Sequence, residues 1–214
     1  MGRLSWLVRD PRPRSWIMTA LAVVAIAILF LGASALTARA ESSTLGGGEH
    51  SLRLPPRMGL GLGYGLAYDP GDARNFALVT GFMLFDYEDI WPHAAPEPLR
   101  FKIEASLGGT TEGSSQGLAS VSGVALYYLD GLGGSLFRPY GEAGVGVMYS
   151  EHKVAGQGSR LNFNPQIGIG VEFPGHNQSR IWASLRLHHL SNAGLHKDNR
   201  GVNSLVLMMG YYFD

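Results

Sequence analysis

The sequence predicts an all-β protein, an eight-stranded antiparallel transmembrane β-barrel of the outer-membrane type. Eight segments alternate apolar and polar residues with a period of two, which is typical of strands. The polar faces carry compact Gly, Asn, Gln and Glu residues, which suit a narrow lumen. Aromatic residues gather near the strand ends, as they do in the aromatic girdles of membrane barrels.

The composition excludes several classes of protein. The chain has 214 residues, of which 30 are Gly, 17 are basic, 17 are acidic and none is Cys. Without Cys, disulfide frameworks, thiol nucleophiles and Cys-ligated metals are excluded. The balanced charge gives no indication that nucleic acid is a partner. The high Gly content fits an eight-stranded barrel, whose interior is only wide enough for packed side chains.

The N-terminal residues have the composition of an export signal. Four Arg residues precede Trp16–Thr37, a stretch without charge, and Ala38-Arg39-Ala40 follows as a small-x-small cleavage site. We therefore expect a signal peptide over residues 1–40, with an uncleaved membrane anchor as the alternative. Residues 41–56, rich in Gly and Ser, are expected to form a mobile N-terminal segment, and residues 57–214 the eight-stranded barrel.

Alternation is clearest in three of the predicted strands: Arg57–Tyr68, Leu99–Leu107 and Leu161–Phe173. The five weaker ones are Arg74–Phe85, Gly117–Leu129, Phe137–Tyr149, Ser179–Leu190 and Gly201–Phe213. Strands of about 9–11 residues cross a membrane when they are tilted by about 45°. The alternative is a soluble lipocalin-like barrel, with apolar residues inside and polar residues in water.

The membrane architecture places charged residues of both signs inside the barrel. They are Arg100, Lys102, Glu104, Glu142, Glu172, Arg180 and Arg186. Buried charges must be paired. We therefore expect a structural network of ion pairs in the lumen rather than a transport pathway.

The seventh predicted strand distinguishes two adjacent histidines. Its apolar residues from Ile181 to Leu187 face lipid, and the next residues on the same side are His189 and Ser191. His188 falls on the lumen side, where we expect a structural role. His189 and Ser191 lie about 6.5–7 Å apart along the strand, which suits a general base and a nucleophilic hydroxyl. The alternative is that both are polar residues tolerated at the membrane interface.

Asn203 begins the lipid-facing side of the eighth predicted strand. Antiparallel pairing brings the end of the seventh strand level with the start of the eighth. We therefore expect His189, Ser191 and Asn203 to cluster at one membrane interface. An N-terminus in the periplasm puts that interface at the outer leaflet, because odd-numbered strands then run outward.

The residues around this cluster resemble a known family. His189-Leu190-Ser191-Asn192-Ala193-Gly194, followed by Asn199-Arg200-Gly201-Val202-Asn203, is similar to the PagL-type lipid A 3-O-deacylases. The resemblance implies an outer-membrane barrel that hydrolyses the ester-linked acyl chain at position 3 of lipid A with a serine triad. It implies Ser191 as the nucleophile, His189 as the general base and Asn192 as a contributor to the oxyanion hole.

The chain departs from this family at the third triad position, where Asn203 stands in place of an acid. An amide oxygen can fix the tautomer of His189, but it cannot stabilise an imidazolium by charge. Asp198, in the preceding loop, is the alternative acid. A non-catalytic barrel with a structural or adhesion role is therefore the alternative function.

Neither a metal nor an organic cofactor is expected. His188 and His189 point to opposite faces of one strand, and the Gly residues lack the strand-to-helix context of a phosphate-binding loop. The resemblance implies lipid A of lipopolysaccharide and the outer membrane as partners. The sequence leaves a homodimer open and gives no indication of nucleic acid.

Overall fold

Alternating side chains produce nine strands in the computed structural model, which describes residues 57–91, 93–174 and 180–213. The strands are β1 Arg57–Asp69, β2 Phe76–Asp86, β3 Leu99–Thr110, β4 Gly117–Tyr128, β5 Arg138–Ser150, β6 Leu161–Phe163, β7 Gln166–Pro174, β8 Arg180–Leu190 and β9 Val202–Phe213. A single helical turn, α1, spans Tyr87–Ile90, and a 3₁₀ turn spans Asp130–Leu132. The predicted signal peptide (1–40) and N-terminal segment (41–56) lie outside the described residues.

No helix within residues 57–91, 93–174 and 180–213 is long and apolar enough to cross a membrane.

The strands close into an antiparallel barrel because β9 pairs with β1, from Met58 opposite Phe213 to Asp69 opposite Asn203. β6 and β7 are successive parts of one barrel strand, since both follow the same register on β5. Pro165 interrupts this strand because proline has no N–H to donate. The predicted eight-stranded antiparallel barrel is confirmed, with the predicted Leu161–Phe173 strand divided at this proline.

The two faces of the barrel have the inverted polarity expected of a membrane protein. Apolar side chains stand on the outside, where Leu62 is 62% exposed. Polar side chains such as Thr80, Ser122 and Ser184 are buried inside. A soluble lipocalin-like barrel would show the opposite arrangement, so this alternative is wrong for the present chain.

An ion-pair network fills the middle of the lumen, as predicted. Arg186 donates to both Glu104 and Glu142 over 2.7–2.9 Å. Lys102 Nζ lies 2.9 Å from each of the same two carboxylates. The two cations and two anions balance, and all four side chains are buried. Such a network fixes the relative register of β3, β5 and β8, since a slip would separate buried opposite charges.

A second polar cluster surrounds Glu172 nearer the lower rim, the end of the barrel that carries residues 87–91, 93–98 and 129–137. Tyr128 and Tyr212 donate hydroxyl hydrogen bonds to this carboxylate over 2.5 and 2.7 Å. Arg57 also donates to it, over 3.2 Å. Arg180 lies 3.6 Å from the same carboxylate. These partners account for the charge of Glu172 within the barrel wall.

Arg100, also in the predicted lumen set, lies 5.8 Å from the centre of the Tyr128 ring but forms its ion pair outside both clusters. It pairs with Asp86 over 2.9 Å, at the lower ends of β3 and β2. Large aromatic side chains fill the remaining interior, and the small Gly residues make room for them. A Cβ on Gly170, for example, would stand 2.2 Å from the Tyr140 ring. The Gly-rich composition therefore reflects close packing in the lumen, as predicted.

Candidate active site

The end of β8 places His189 and Ser191 on the outer face of the barrel. The His189 backbone N–H donates to the Pro165 carbonyl over 3.0 Å, and Ser191 exchanges two backbone hydrogen bonds with Phe163. Alternation along β8 turns His188 into the lumen, where it is buried beside Asn164 and Ser204. The predicted separation of the two histidines onto opposite faces is therefore confirmed.

A short hydrogen bond joins His189 to Asn203. The Nδ1 atom of His189 lies 2.6 Å from the Asn203 side-chain oxygen. These residues are directly opposite each other on β8 and β9. The His189 backbone N–H points away from β9, toward Pro165. His189 and Asn203 therefore form a non-hydrogen-bonded pair between β8 and β9, the kind of pair in which the two side chains approach closely. The predicted approach of His189 and Asn203 is thus found.

Ser191 lies on the same outer face, but its hydroxyl is not joined to the imidazole. Within residues 57–91, 93–174 and 180–213, no hydrogen bond links the Ser191 hydroxyl to His189. Its backbone is fixed by Phe163: the Ser191 N–H donates to the Phe163 carbonyl over 3.1 Å, and the Phe163 N–H donates to the Ser191 carbonyl over 2.8 Å. Catalytic hydrogen bonds are often long without substrate and tighten when it binds. The nucleophilic role of Ser191 stays a prediction.

Asn192 organises the loop of residues 191–201. Its side chain is 1% exposed, and its amide nitrogen donates to the Asp198 carbonyl over 2.8 Å. Its backbone N–H donates to the Asn199 side chain over 2.8 Å, and its side-chain oxygen accepts from the Gly194 N–H. The backbone N–H and one N–H of the Asn192 side-chain amide are thus engaged within the loop, and its oxyanion role stays a prediction.

Asp198 takes part in the same loop mainly through its backbone. Its carbonyl accepts from Asn192 and from the Gly158 N–H, and its own N–H donates to His196 over 3.1 Å. The Nδ1 atom of His189 is occupied by Asn203 instead. The alternative in which Asp198 supplies the missing acid therefore has no supporting contact among the described residues.

Asp69, which follows the predicted strand Arg57–Tyr68 in the sequence, is a neighbour of the site that no sequence pattern indicates. The Asn203 amide nitrogen donates to one oxygen of the Asp69 carboxylate over 2.9 Å. The Arg200 guanidinium donates to the other oxygen over 2.5 Å. The Asp69 carboxylate, at the end of β1, therefore lies on the side of the Asn203 amide that faces away from His189. No sequence motif indicates it, because its position depends on the β1–β9 register.

The imidazole of His189 has close neighbours on the outer surface. A Cβ on Gly201 would stand 2.6 Å from Cε1 and 3.2 Å from Nε2 of the ring, so a larger residue there would displace the imidazole. A groove of about 280 Å³ runs along the outer wall beside the ring. It is lined by Tyr68, Pro165, Ile167, Leu187 and Asn203. An apolar chain can lie in this groove with its polar end at His189.

The described residues contain no set of side chains grouped as metal ligands. Across residues 57–91, 93–174 and 180–213, no three His, Cys, Asp or Glu side chains are grouped to hold a metal ion. The site instead contains the Ser191 hydroxyl, the His189 imidazole and, hydrogen-bonded to Asn203, the Asp69 carboxylate. This combination suits proton transfer to and from a nucleophilic hydroxyl.

Comparison with known proteins assigns the chain to a family. Residues 91–212 match the family model described as lipid A 3-O-deacylase (PagL). The chain belongs to the PagL family. His189, Ser191, Asn192 and Asn203 lie within the matched residues, whereas Asp69 lies outside them. The resemblance inferred from the sequence is confirmed.

Individual relatives of this PagL family member agree with that assignment. It is 37% identical to the lipid A deacylase PagL of Pseudomonas aeruginosa over 102 residues, which cover 46% of this chain and 55% of the relative. The chain thus spans about half the length of the curated relative it matches. The crystal structure of the outer membrane enzyme PagL superposes with a TM-score of 0.51 at 25% identity, covering 71% of this chain and 97% of that one.

Neisserial surface protein A superposes with a TM-score of 0.56 at 16% identity, covering 73% of this chain and 95% of that one, and it shows the fold alone. Together, the family and the inverted barrel make this PagL family member an outer-membrane β-barrel. The predicted fold class and location are confirmed.

Proposed function

We propose that this protein is a lipid A 3-O-deacylase, an esterase that removes the acyl chain linked to position 3 of lipid A. The observation that carries the proposal is the 2.6 Å contact between His189 Nδ1 and the Asn203 oxygen, on the lipid-facing wall next to Ser191. A polar group on this wall is costly, so a functional role accounts for it better than tolerance does. Membership of the PagL family points to the same reaction.

The location of the site suits a substrate that never leaves the membrane. With the start of β1 in the periplasm, Asp69, His189 and Asn203 lie at the outer leaflet, which holds lipid A. The groove beside His189 is open along the barrel wall. An acyl chain enters it sideways from the lipid, and its ester group comes to rest at the polar rim.

Ser191 and His189 divide the chemistry in this proposal. The Ser191 oxygen attacks the ester carbonyl while Nε2 of His189 takes the hydroxyl proton. The tetrahedral intermediate collapses, the C–O bond to the sugar breaks, and the sugar oxygen receives the proton from Nε2. Water then attacks the acyl-serine, passing a proton through Nε2 back to the Ser191 oxygen. The products are a free fatty acid and lipid A with a hydroxyl at position 3.

Asn192 is the proposed oxyanion donor. To act in this way, its amide nitrogen leaves the Asp198 carbonyl, 2.8 Å away, and turns toward the Ser191 ester. The rest of the loop is held independently by the bond from the Asn192 N–H to Asn199. Charge stabilisation of the intermediate by such a donor is worth about 10²–10³ in kcat.

Mass spectrometry of lipid A tests the proposal. Cells expressing the wild type should lose the mass of one ester-linked acyl chain from lipid A, and cells expressing Ser191→Ala should not. Ser114→Ala is the matched control, since Ser114 is an exposed serine in another loop of the same rim. A lipid A pattern that is unchanged by the wild type refutes the esterase function.

The second candidate is a non-catalytic barrel with a structural or adhesion role. Two observations favour it: Asn203 stands where the family resemblance implies an acid, and the Asn192 backbone N–H and side-chain amide are bonded within the loop. This candidate predicts identical lipid A in cells expressing the wild type, Ser191→Ala or an empty vector. The same measurement therefore separates the two functions.

A further inference from the structure

Two hydrogen bonds in series connect His189 to a carboxylate on the far side of Asn203, and a third, from Arg200, holds that carboxylate. They run from His189 Nδ1 to the Asn203 oxygen, 2.6 Å, from the Asn203 amide nitrogen to Asp69, 2.9 Å, and from Arg200 to Asp69, 2.5 Å. We infer that Asp69 is a positioning residue that makes Asn203 a competent substitute for the missing acid. This inference rests on the proposed deacylase function and names a residue that acts through Asn203.

The chemistry of the partners determines the orientation of the Asn203 amide. An ionised carboxylate only accepts hydrogen bonds, so the amide nitrogen must face Asp69. The amide oxygen must then face His189, and it can only accept. Nδ1 of His189 must therefore carry the ring proton, which leaves the lone pair on Nε2. This is the tautomer that a general base beside Ser191 requires.

Without Asp69, Asn203 could turn its amide nitrogen toward the ring. That nitrogen would donate to Nδ1 and hold the proton on Nε2, where it blocks proton transfer from Ser191. In the serine-protease triad, replacing Asp by Asn lowers kcat about 10⁴-fold through this wrong tautomer. Asp69 prevents the same fault here because it occupies the donor side of the amide.

A β-bulge brings Asp69 to this position. Ala67 pairs with Ser204, but Asp69, not Tyr68, pairs with Asn203, so Tyr68 is an extra residue on β1. With regular pairing, Tyr68 would stand opposite Asn203 and Asp69 would fall beyond the pair. The Ala67 N–H is bonded to the Asn75 side chain over 3.0 Å, which fixes the irregular segment. Bulges commonly re-aim side chains beside active sites.

Exchanging the two side chains tests the inference. Asp69→Asn should lower kcat about 10- to 100-fold with little change in KM, since proton transfer and not binding is impaired. Asn203→Asp alone would place two carboxylates about 2.9 Å apart and should also lower activity. The double variant, Asp69→Asn with Asn203→Asp, restores every hydrogen bond with the acid next to His189. Its kcat should equal or exceed that of the wild type.

Asp72→Asn is the matched control, because Asp72 lies in the same turn and its side chain accepts from the Ala155 N–H, away from Asn203. Heat-dependent gel mobility verifies that each variant has folded. An unchanged kcat in Asp69→Asn, or a folded double variant that stays as inactive as Asp69→Asn, overturns the inference.

A second readout does not depend on catalysis, so it separates this inference from the proposed function. ¹⁵N-histidine NMR of the solubilised barrel, with His189→Gln to assign the signal, reports which ring nitrogen of His189 carries the proton. We expect a proton on Nδ1 in the wild type and a shift toward Nε2 in Asp69→Asn. A wild-type ring protonated on Nε2 overturns the role of Asp69, whether or not the protein deacylates lipid A.

Discussion

Gly201→Ala should inactivate the site while leaving the barrel intact. The new Cβ would stand 2.6 Å from Cε1 of His189 and 3.2 Å from Nε2. Carbon atoms in contact are normally about 3.5–4.0 Å apart, so the ring must move by about 0.9 Å or rotate away. The backbone cannot take up this shift freely, because the Leu190 carbonyl lies 3.2 Å from the same Cβ position.

A movement of this size has a large effect on proton transfer. The bond between His189 and Asn203 is only 2.6 Å long, and a shift of the ring stretches it or changes the direction of Nε2 toward Ser191. Misplacing a catalytic group by about 1 Å costs about 10²-fold in rate. The expected loss in kcat is thus about 100-fold, which is about 2.7 kcal/mol in the activation free energy.

The assay measures release of fatty acid from lipid A by purified protein in detergent micelles. Gly71→Ala is the matched control, because a Cβ there has no atom within 4 Å and Gly71 lies at the same rim. Both variants should show the wild-type gel mobility shift on heating. If folded Gly201→Ala hydrolyses lipid A at the wild-type rate, His189 is not the general base in the position described.

Two further predictions concern the barrel itself. Arg186→Met leaves two buried carboxylates with Lys102 as their only cation among the described contacts. It should lower the free energy of unfolding by about 3–5 kcal/mol, which urea unfolding in lipid vesicles measures. The control Lys197→Met changes an exposed residue and should alter the free energy of unfolding little. Leu207→Arg puts a charge on the lipid-facing wall, where Leu207 is 57% exposed, and should cost about 2–4 kcal/mol, whereas Leu195→Arg in a loop should be neutral. Equal unfolding midpoints for either variant and its control would contradict the prediction.

The barrel could be predicted from the sequence because its physics is local. Each strand alternates apolar and polar residues, so the pattern reveals both the strand and the direction of each side chain. The same alternation separated His189 from His188 before any tertiary contact was known. Antiparallel order then placed Asn203 opposite His189, as the structure has it. These inferences required only a period of two and the succession of strands along the chain.

The details of the loop at residues 191–201 depend on contacts that alternation does not encode. The family resemblance implies Asn192 as an oxyanion donor, yet its side-chain amide is bonded to Asp198 and its backbone N–H to Asn199. Such side-chain hydrogen bonds with the backbone compete with any regular pattern. The sequence identifies the polar residues of a loop, but it does not predict which of their donors are already hydrogen-bonded within it.

Asp69 shows why one residue of register decides whether a site is complete. A closed barrel already requires β1 to lie beside β9, so the sequence places the end of β1 near Asn203. Regular alternation, however, gives that place to Tyr68, a girdle aromatic, and sends Asp69 into the turn. The bulge exchanges the two, and a site whose third position is the amide of Asn203 has the Asp69 carboxylate bonded to that amide. The absence of an acid at position 203 is therefore weak evidence for lost activity, because the charge can come from the strand that closes the barrel.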